Sequence, residues 1–221
     1  MDILFARHGN TFGPDDKVVW VGRETDLPLV DKGWAQARAL GDALIRLGFQ
    51  PDRIIAASLQ RTRGFAETVA ATLGHARPLD IDPRLNEIDY GRWAGRSSEE
   101  IAAASPEEAA ALDAWSARDA WPASAGWVTT EAELRDAIRA FADHVIAQAN
   151  DTERLLVVSS NGVLRFLPHV LGASDSARSG PARSSYVMKT GHAGLITGKP
   201  GTFQLKFWNV NPERLDGTTL Q

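Results

Sequence analysis

Leu4-Phe5-Ala6-Arg7-His8-Gly9-Asn10-Thr11 is the stretch on which the fold turns. Residues 2 to 6 carry an Ile-Leu-Phe core, the pattern of a short buried strand. An arginine, a histidine and a glycine follow at once, where that strand should end. In open α/β sheets, ligands sit outside the carboxyl ends of the strands. The Arg7 guanidinium can grip a phosphate with two parallel hydrogen bonds. A neutral imidazole at His8 is a nucleophile suited to phosphorus. Gly9 permits a sharp turn or a close backbone approach, and Thr11 adds a hydroxyl donor. The plain alternative is an Arg and a His solvated at the start of a loop.

The composition limits what such a site could serve. The chain has 221 residues, 43% apolar, with a net charge of −4. Nothing in that balance suggests a nucleic-acid surface, so an anionic substrate needs a local basic pocket. There are no cysteines, which excludes disulfides, thiolate catalysis and cysteine-bound metal. No basic segment precedes an apolar run at the N-terminus, and no run of about 18 apolar residues exists. The expectation is a cytoplasmic protein with no membrane partner. No feature of the sequence specifies an oligomeric state.

Strand and helix patterns alternate along the chain. Residues 9 to 30 are irregular, punctuated by Gly9, Gly13, Pro14, Gly22 and Pro28. A helix with Asp31 as N-cap is expected up to Gly48, then a strand over Arg53 to Ala57 and a helix over 61 to 73 ending at Gly74. A short strand is expected near Leu79 to Ile81. Residues 98 to 120 read as one or two helices broken at Pro106, and 130 to 149 as an amphipathic helix. Leu155 to Val158 is a strongly apolar strand, followed by a helix over Gly162 to Leu171. Tyr186 to Met188, Gly194 to Thr197 and Phe203 to Trp208 read as strands. The expectation is a three-layer α/β/α sandwich with a mostly parallel central sheet. It forms one domain over 1–221, with 98–130 as a helical insertion over one edge.

Five segments in order carry a resemblance. Arg7-His8-Gly9-Asn10-Thr11 resembles the R-H-G-x-T signature of the histidine phosphatase superfamily, the phosphoglycerate-mutase-like enzymes. Gly22-Arg23-Glu24-Thr25-Asp26-Leu27-Pro28-Leu29 with Gly33 and Gln36-Ala37 is similar to its G-R-x-D-x-P-L-T-x-x-G-x-x-Q-A segment, with one extra residue before Asp26. Ser58 to Thr68 resembles S-x-L-x-R-A/T-x-x-T-A, with Phe65 where the family has threonine. Leu85-Asn86-Glu87 through Gly91, Trp93 and Gly95 resembles L-x-E-x-x-x-G-x-W-E-G. Leu155 to Arg165 resembles V-V-S-H-G-G-x-I-R, with Ser160 and Asn161 in place of the second histidine and the glycine after it.

The resemblance implies hydrolysis of a phosphate monoester on a small phosphorylated substrate. His8 would attack phosphorus and become a phosphohistidine. Arg7 and Arg61 would neutralise the phosphoryl oxygens, assisted by Asn10 or Thr11. Glu87 would protonate the leaving oxygen and then take a proton from water. Gly22 would lie near the substrate. The plain alternatives are a solvated helix N-terminus for Arg61 and Arg63, and a loop carboxylate capping amides for Glu87. Arginines at an N-terminus oppose the helix dipole, so an anion gives them a reason to be there. Ser160 and Asn161 can donate neutral hydrogen bonds to the phosphate, leaving two positive charges, from Arg7 and Arg61. The scheme needs no metal and no cofactor. His75, His144 and His169 belong to helices, and His192 to a hairpin tip. Two rival readings are a phosphoglycerate-type mutase and a catalytically weak relative that binds a phospho-ligand without turning it over.

Overall fold

The computed structural model describes residues 1–175 and 185–216. The chain runs β1 (Asp2–Arg7), α1 (Asp31–Leu47), β2 (Arg53–Ala56), α2 (Gln60–Leu73), β3 (Asp80–Ile81), α3 (Ser98–Ala102), α4 (Pro106–Arg118), α5 (Glu131–Gln148), β4 (Arg154–Ser159), α6 (Asn161–Val170), β5 (Ala193–Thr197) and β6 (Gln204–Val210). These strands form one sheet in the order β3-β2-β4-β1-β5-β6. β1 pairs parallel with β4, and β2 pairs parallel with β4 and β3; β5 is antiparallel to both β1 and β6.

Alternation along the central strands divides the core between the two faces. Ile3, Phe5, Ile55 and Val157 pack with Ile138 and Phe141 of α5 and Phe166 of α6. Leu4, Ala6, Ile54 and Val158 pack with Leu40 and Leu44 of α1 and Phe65 and Val69 of α2. Phe65 is fully buried there, so α2 has absorbed the larger side chain into its inner face. The sandwich is as expected.

Two local expectations are corrected. The residue capping α1 is Val30, and Asp31 occupies the first helical position, where its charge favours the helix N-terminus. Tyr186–Met188 is not a strand. Its alternating burial imitates one, but the Tyr186 amide donates to Asp119 Oδ2 at 2.6 Å and the Met188 amide to Asn161 Oδ1 at 2.9 Å. Side chains, not a neighbouring strand, take those amides.

The segment 98–130 breaks at Pro106 as expected, into α3 and α4. Ser105 caps α4, its Oγ accepting the Glu108 amide. The segment pairs with neither edge strand; Ser98, Trp115 and Ser116 instead wall a cavity beyond the end of β1. Among the described residues no helix is long and apolar enough to cross a membrane.

Candidate active site

β1 and β4 bring their carboxyl ends together at the centre of the sheet. The His8 amide donates to the Ser159 carbonyl at 3.1 Å, and the Arg7 amide to the His192 carbonyl at 3.1 Å. The chain then passes so close to α1 that a Cβ on Gly9 would lie 2.5 Å from the Gly33 carbonyl oxygen. Glycine at both positions lets the two backbones touch. One turn into α1, Gln36 locks the contact: its Oε1 accepts the Asn10 amide at 2.8 Å, and its Nε2 donates to the Thr190 carbonyl at 3.1 Å.

His8 is 5% exposed. Its Nδ1 lies 2.8 Å from the Gly9 carbonyl oxygen, which can only accept. The ring proton therefore sits on Nδ1, and Nε2 keeps its lone pair. Burial holds the imidazole pKa well below the ordinary histidine value, and the charges of Arg7 and Arg61 push it the same way. The ring is neutral at physiological pH.

Carbonyl oxygens aim the two arginines without cancelling their charge. Arg7 Nη1 donates to the Met188 carbonyl at 2.7 Å. Arg61, 1% exposed, donates from Nη1 to the Thr25 carbonyl at 2.9 Å and from Nη2 to the Gly22 carbonyl at 3.2 Å. Burial lowers both guanidinium pKa values and the charge of Glu87 opposes it; an arginine keeps its proton in either case. Asp26 caps α2 beside them, accepting the Gln60 amide at 2.7 Å. Arg63 points into solvent. Arg61→Ala is expected to lower kcat/KM by about 10²–10³, the scale of losing one transition-state donor, and Arg63→Ala by less than about threefold. A larger loss at Arg63 in steady-state assays would overturn the assignment.

Glu87 enters from the 3₁₀ turn Pro83–Leu85 and is 6% exposed. Its Oε1 accepts the Ile88 amide at 3.0 Å and its Oε2 the Gly162 amide at 3.3 Å. A Cβ on Gly162 would lie 2.3 Å from Glu87 Oε1 and 2.8 Å from the Tyr90 hydroxyl, so α6 meets the carboxylate through bare backbone. Burial first, then the charge of Glu87, raises the Tyr90 pKa well above the ordinary phenol value. Tyr90 is therefore a neutral hydroxyl.

Arg7, His8, Asn10, Thr11, Arg61, Glu87 and Asn161 all line one cavity of about 440 Å³. Two residues expected at the site do not line it. Gly22 is buried, its carbonyl committed to Arg61. Ser160 immediately precedes α6 and is wholly buried; its carbonyl accepts the Leu164 amide, and its Oγ has no partner. Asn161 reaches the wall with its Oδ1 committed to the Met188 amide. Asn10 is braced from the far end of the chain, its Oδ1 accepting from Thr190 Oγ1 at 2.7 Å. The other histidines lie outside this wall; His192 precedes β5, with Nδ1 3.0 Å from Asn209 Oδ1.

The tally of two positive charges is corrected. Arg165 also lines the cavity, 4% exposed, four residues after Asn161 and hence on the same face of α6. It belongs to the segment that carries the fifth motif, and that spacing was its signal. Its Nη1 donates to Asp119 Oδ1 at 2.6 Å and to the Trp115 carbonyl at 2.5 Å, and its guanidinium carbon lies 4.6 Å from the Trp115 ring centroid. Asp119 ends α4 in the left-handed region, with φ 55°. It also accepts from Ser185 Oγ and from the Tyr186 amide, both at 2.6 Å. The third guanidinium thus arrives with its own carboxylate.

The chain matches the family profile described as histidine phosphatase superfamily (branch 1) over residues 3–211. It is 32% identical over 171 residues to an adenosylcobalamin/alpha-ribazole phosphatase of Salmonella typhimurium, covering 76% of this chain and 77% of that protein. A shorter match, 31% over 97 residues, covers 42% of this chain and 44% of a 2,3-bisphosphoglycerate-dependent phosphoglycerate mutase of Rhizobium etli. The fold superposes on a mycobacterial glucosyl-3-phosphoglycerate phosphatase with a TM-score of 0.75 at 20% identity, covering 95% and 98% of the two chains. It superposes on the alpha-ribazole phosphatase of Shigella flexneri with a TM-score of 0.70 at 21% identity, covering 98% and 100%. On this evidence the chain belongs to branch 1 of the histidine phosphatase superfamily, as a histidine-type phosphatase.

Proposed function

We propose that this phosphatase cleaves a small phosphate monoester in two displacements, with His8 as the nucleophile. The observation that carries the reading is the 2.8 Å approach of His8 Nδ1 to the Gly9 carbonyl oxygen; a carbonyl can only accept, so the proton belongs on Nδ1 and the Nε2 lone pair is left for phosphorus. In the first displacement, which begins with Glu87 in its acid form, an N–P bond forms at Nε2 as the ester P–O bond breaks, and the leaving oxygen takes the proton from Glu87. In the second, Glu87 takes a proton from water, the water oxygen bonds to phosphorus, and the P–N bond breaks. Inorganic phosphate leaves and His8 is again neutral. Arg7 and Arg61 balance the dianion, while Asn10, Thr11 and Asn161 surround it with neutral donors. Such substrates are charged and stay in the cytoplasm, where this reading puts the enzyme. Rapid-quench mixing of enzyme with substrate should trap an acid-labile, alkali-stable phosphoprotein at single-turnover times. Full turnover without one would sink the two-step scheme.

The same reading puts Ser160 where relatives hold a second histidine, so the charge such a histidine would bring is missing there. Ser160 is tied instead to the fold. Its Oγ is buried without a partner, and a buried unpaired hydroxyl is destabilising by about 1–3 kcal/mol. Ser160→Ala is expected to raise Tm and to leave kcat/KM within about threefold. A loss of tenfold or more with native Tm would show that the hydroxyl touches the phosphate.

A further inference from the structure

We propose that the substrate is the phosphate monoester of an uncharged alcohol with an apolar, ring-sized body, carrying no second anionic group. The proposal rests on the phosphatase reading of the same cavity. Among the described residues, charge on the cavity wall is confined to Arg7, Arg61, Arg165 and Glu87, and Arg165 is matched by Asp119. The rest of the wall is neutral. The loop between β1 and α1 contributes Phe12, Val18, Val19, Trp20 and Val21, none of them buried, with Val18 65% exposed. Apolar side chains left partly or fully exposed, in one strip that reaches a phosphate site, form the surface an apolar ligand body would cover.

This wall is held in place. Trp20 stands edge-on to Tyr90 and to Trp93 with ring centroids 5.0 Å apart in each case, and its Nε1 donates to Ser98 Oγ at 3.1 Å. Two cations beside this strip are engaged elsewhere. Lys17 pairs with Glu100 at 2.5 Å and Arg96 donates to the Glu100 carbonyl at 2.5 Å, and neither lines the cavity. Among the described residues, a carboxylate or second phosphate on the substrate would find the Ser98, Ser116 and Thr190 hydroxyls but no cation beyond those already assigned, too little to offset its lost water. The volume of about 440 Å³ lies in the range of sites that enclose whole small molecules.

Three phosphates of primary alcohols test this with comparable leaving groups: 2-phenylethyl phosphate, glycerol 3-phosphate and 3-phosphoglycerate. Native kcat/KM is expected to be at least about tenfold higher for 2-phenylethyl phosphate than for glycerol 3-phosphate, on the scale of burying one ring, and lowest for 3-phosphoglycerate. Equal or inverted values would overturn the proposal. Val18→Lys places a cation at an exposed position of the wall. It should shift the ratio toward 3-phosphoglycerate by about fivefold or more, and an unmoved ratio counts against the wall. Calorimetric Kd values for the three esters on the His8→Ala protein separate the two readings. If none is hydrolysed by the native enzyme but the Kd order holds, the phosphatase scheme fails and the substrate class stands; if the Kd values are equal, the substrate class fails.

Discussion

His8→Ala is expected to lower kcat by about 10⁴ or more, the scale of removing a covalent nucleophile, and to abolish the trapped phosphoprotein. The rest of the phosphate site should persist, because Arg7 and Arg61 are aimed by the carbonyls of Met188, Thr25 and Gly22. Inorganic phosphate should therefore still bind, within about tenfold of native affinity. A variant that turns over within tenfold of the native rate would refute the assignment. The charge state is open to a separate measurement. Burial, Arg7 and Arg61 all depress the His8 pKa, so its ring signals in NMR should not titrate until the pH is well below the ordinary histidine range. The sign for stability follows: the unfolded chain takes up that proton first as pH falls, so folding weakens across the interval between the unfolded and folded pKa values.

Glu87→Gln should divide substrates by leaving group. For alkyl phosphates the loss is expected to be about 10²–10⁴, the contribution of a positioned proton donor. For p-nitrophenyl phosphate it should be under about tenfold, because nitrophenolate departs without a proton. The substitution keeps the shape that fits beneath Gly162, where no side chain has room. Equal losses on both substrate types would make Glu87 a capping carboxylate, its role toward the Ile88 and Gly162 amides.

What the sequence disclosed was whatever sits beside a strand end. Arg7 ends β1 and His8 follows it, Arg61 lies in the first turn of the helix after β2, and Asn161 opens the helix after β4; in each case the chain order is also the spatial order. Contacts made across the fold were not legible. Arg165 and Asp119 are 46 residues apart, and Thr190 and Asn10 are 180 apart, and no periodicity links such pairs. Ser160 shows a different limit. Its register is plain, but only the folded chain shows that its side chain is turned into the interior. The sheet order was hidden too, since β4 enters between β1 and β2, and the apolar runs of the strands say nothing about which neighbours they take.

Asp119 decides how the helical segment at the cavity mouth can behave. Three stretches of chain meet on its carboxylate: the end of α4, Arg165 of α6, and residues 185–186, two residues short of the carbonyl that holds Arg7. Swinging α4 away would part a buried ion pair, at about 3–5 kcal/mol, and loosen the grip on Arg7 in the same movement. The segment is therefore no flap. The loop of residues 12–21 lines the same cavity, and substitutions there, rather than in α4, are expected to change the rate of product release.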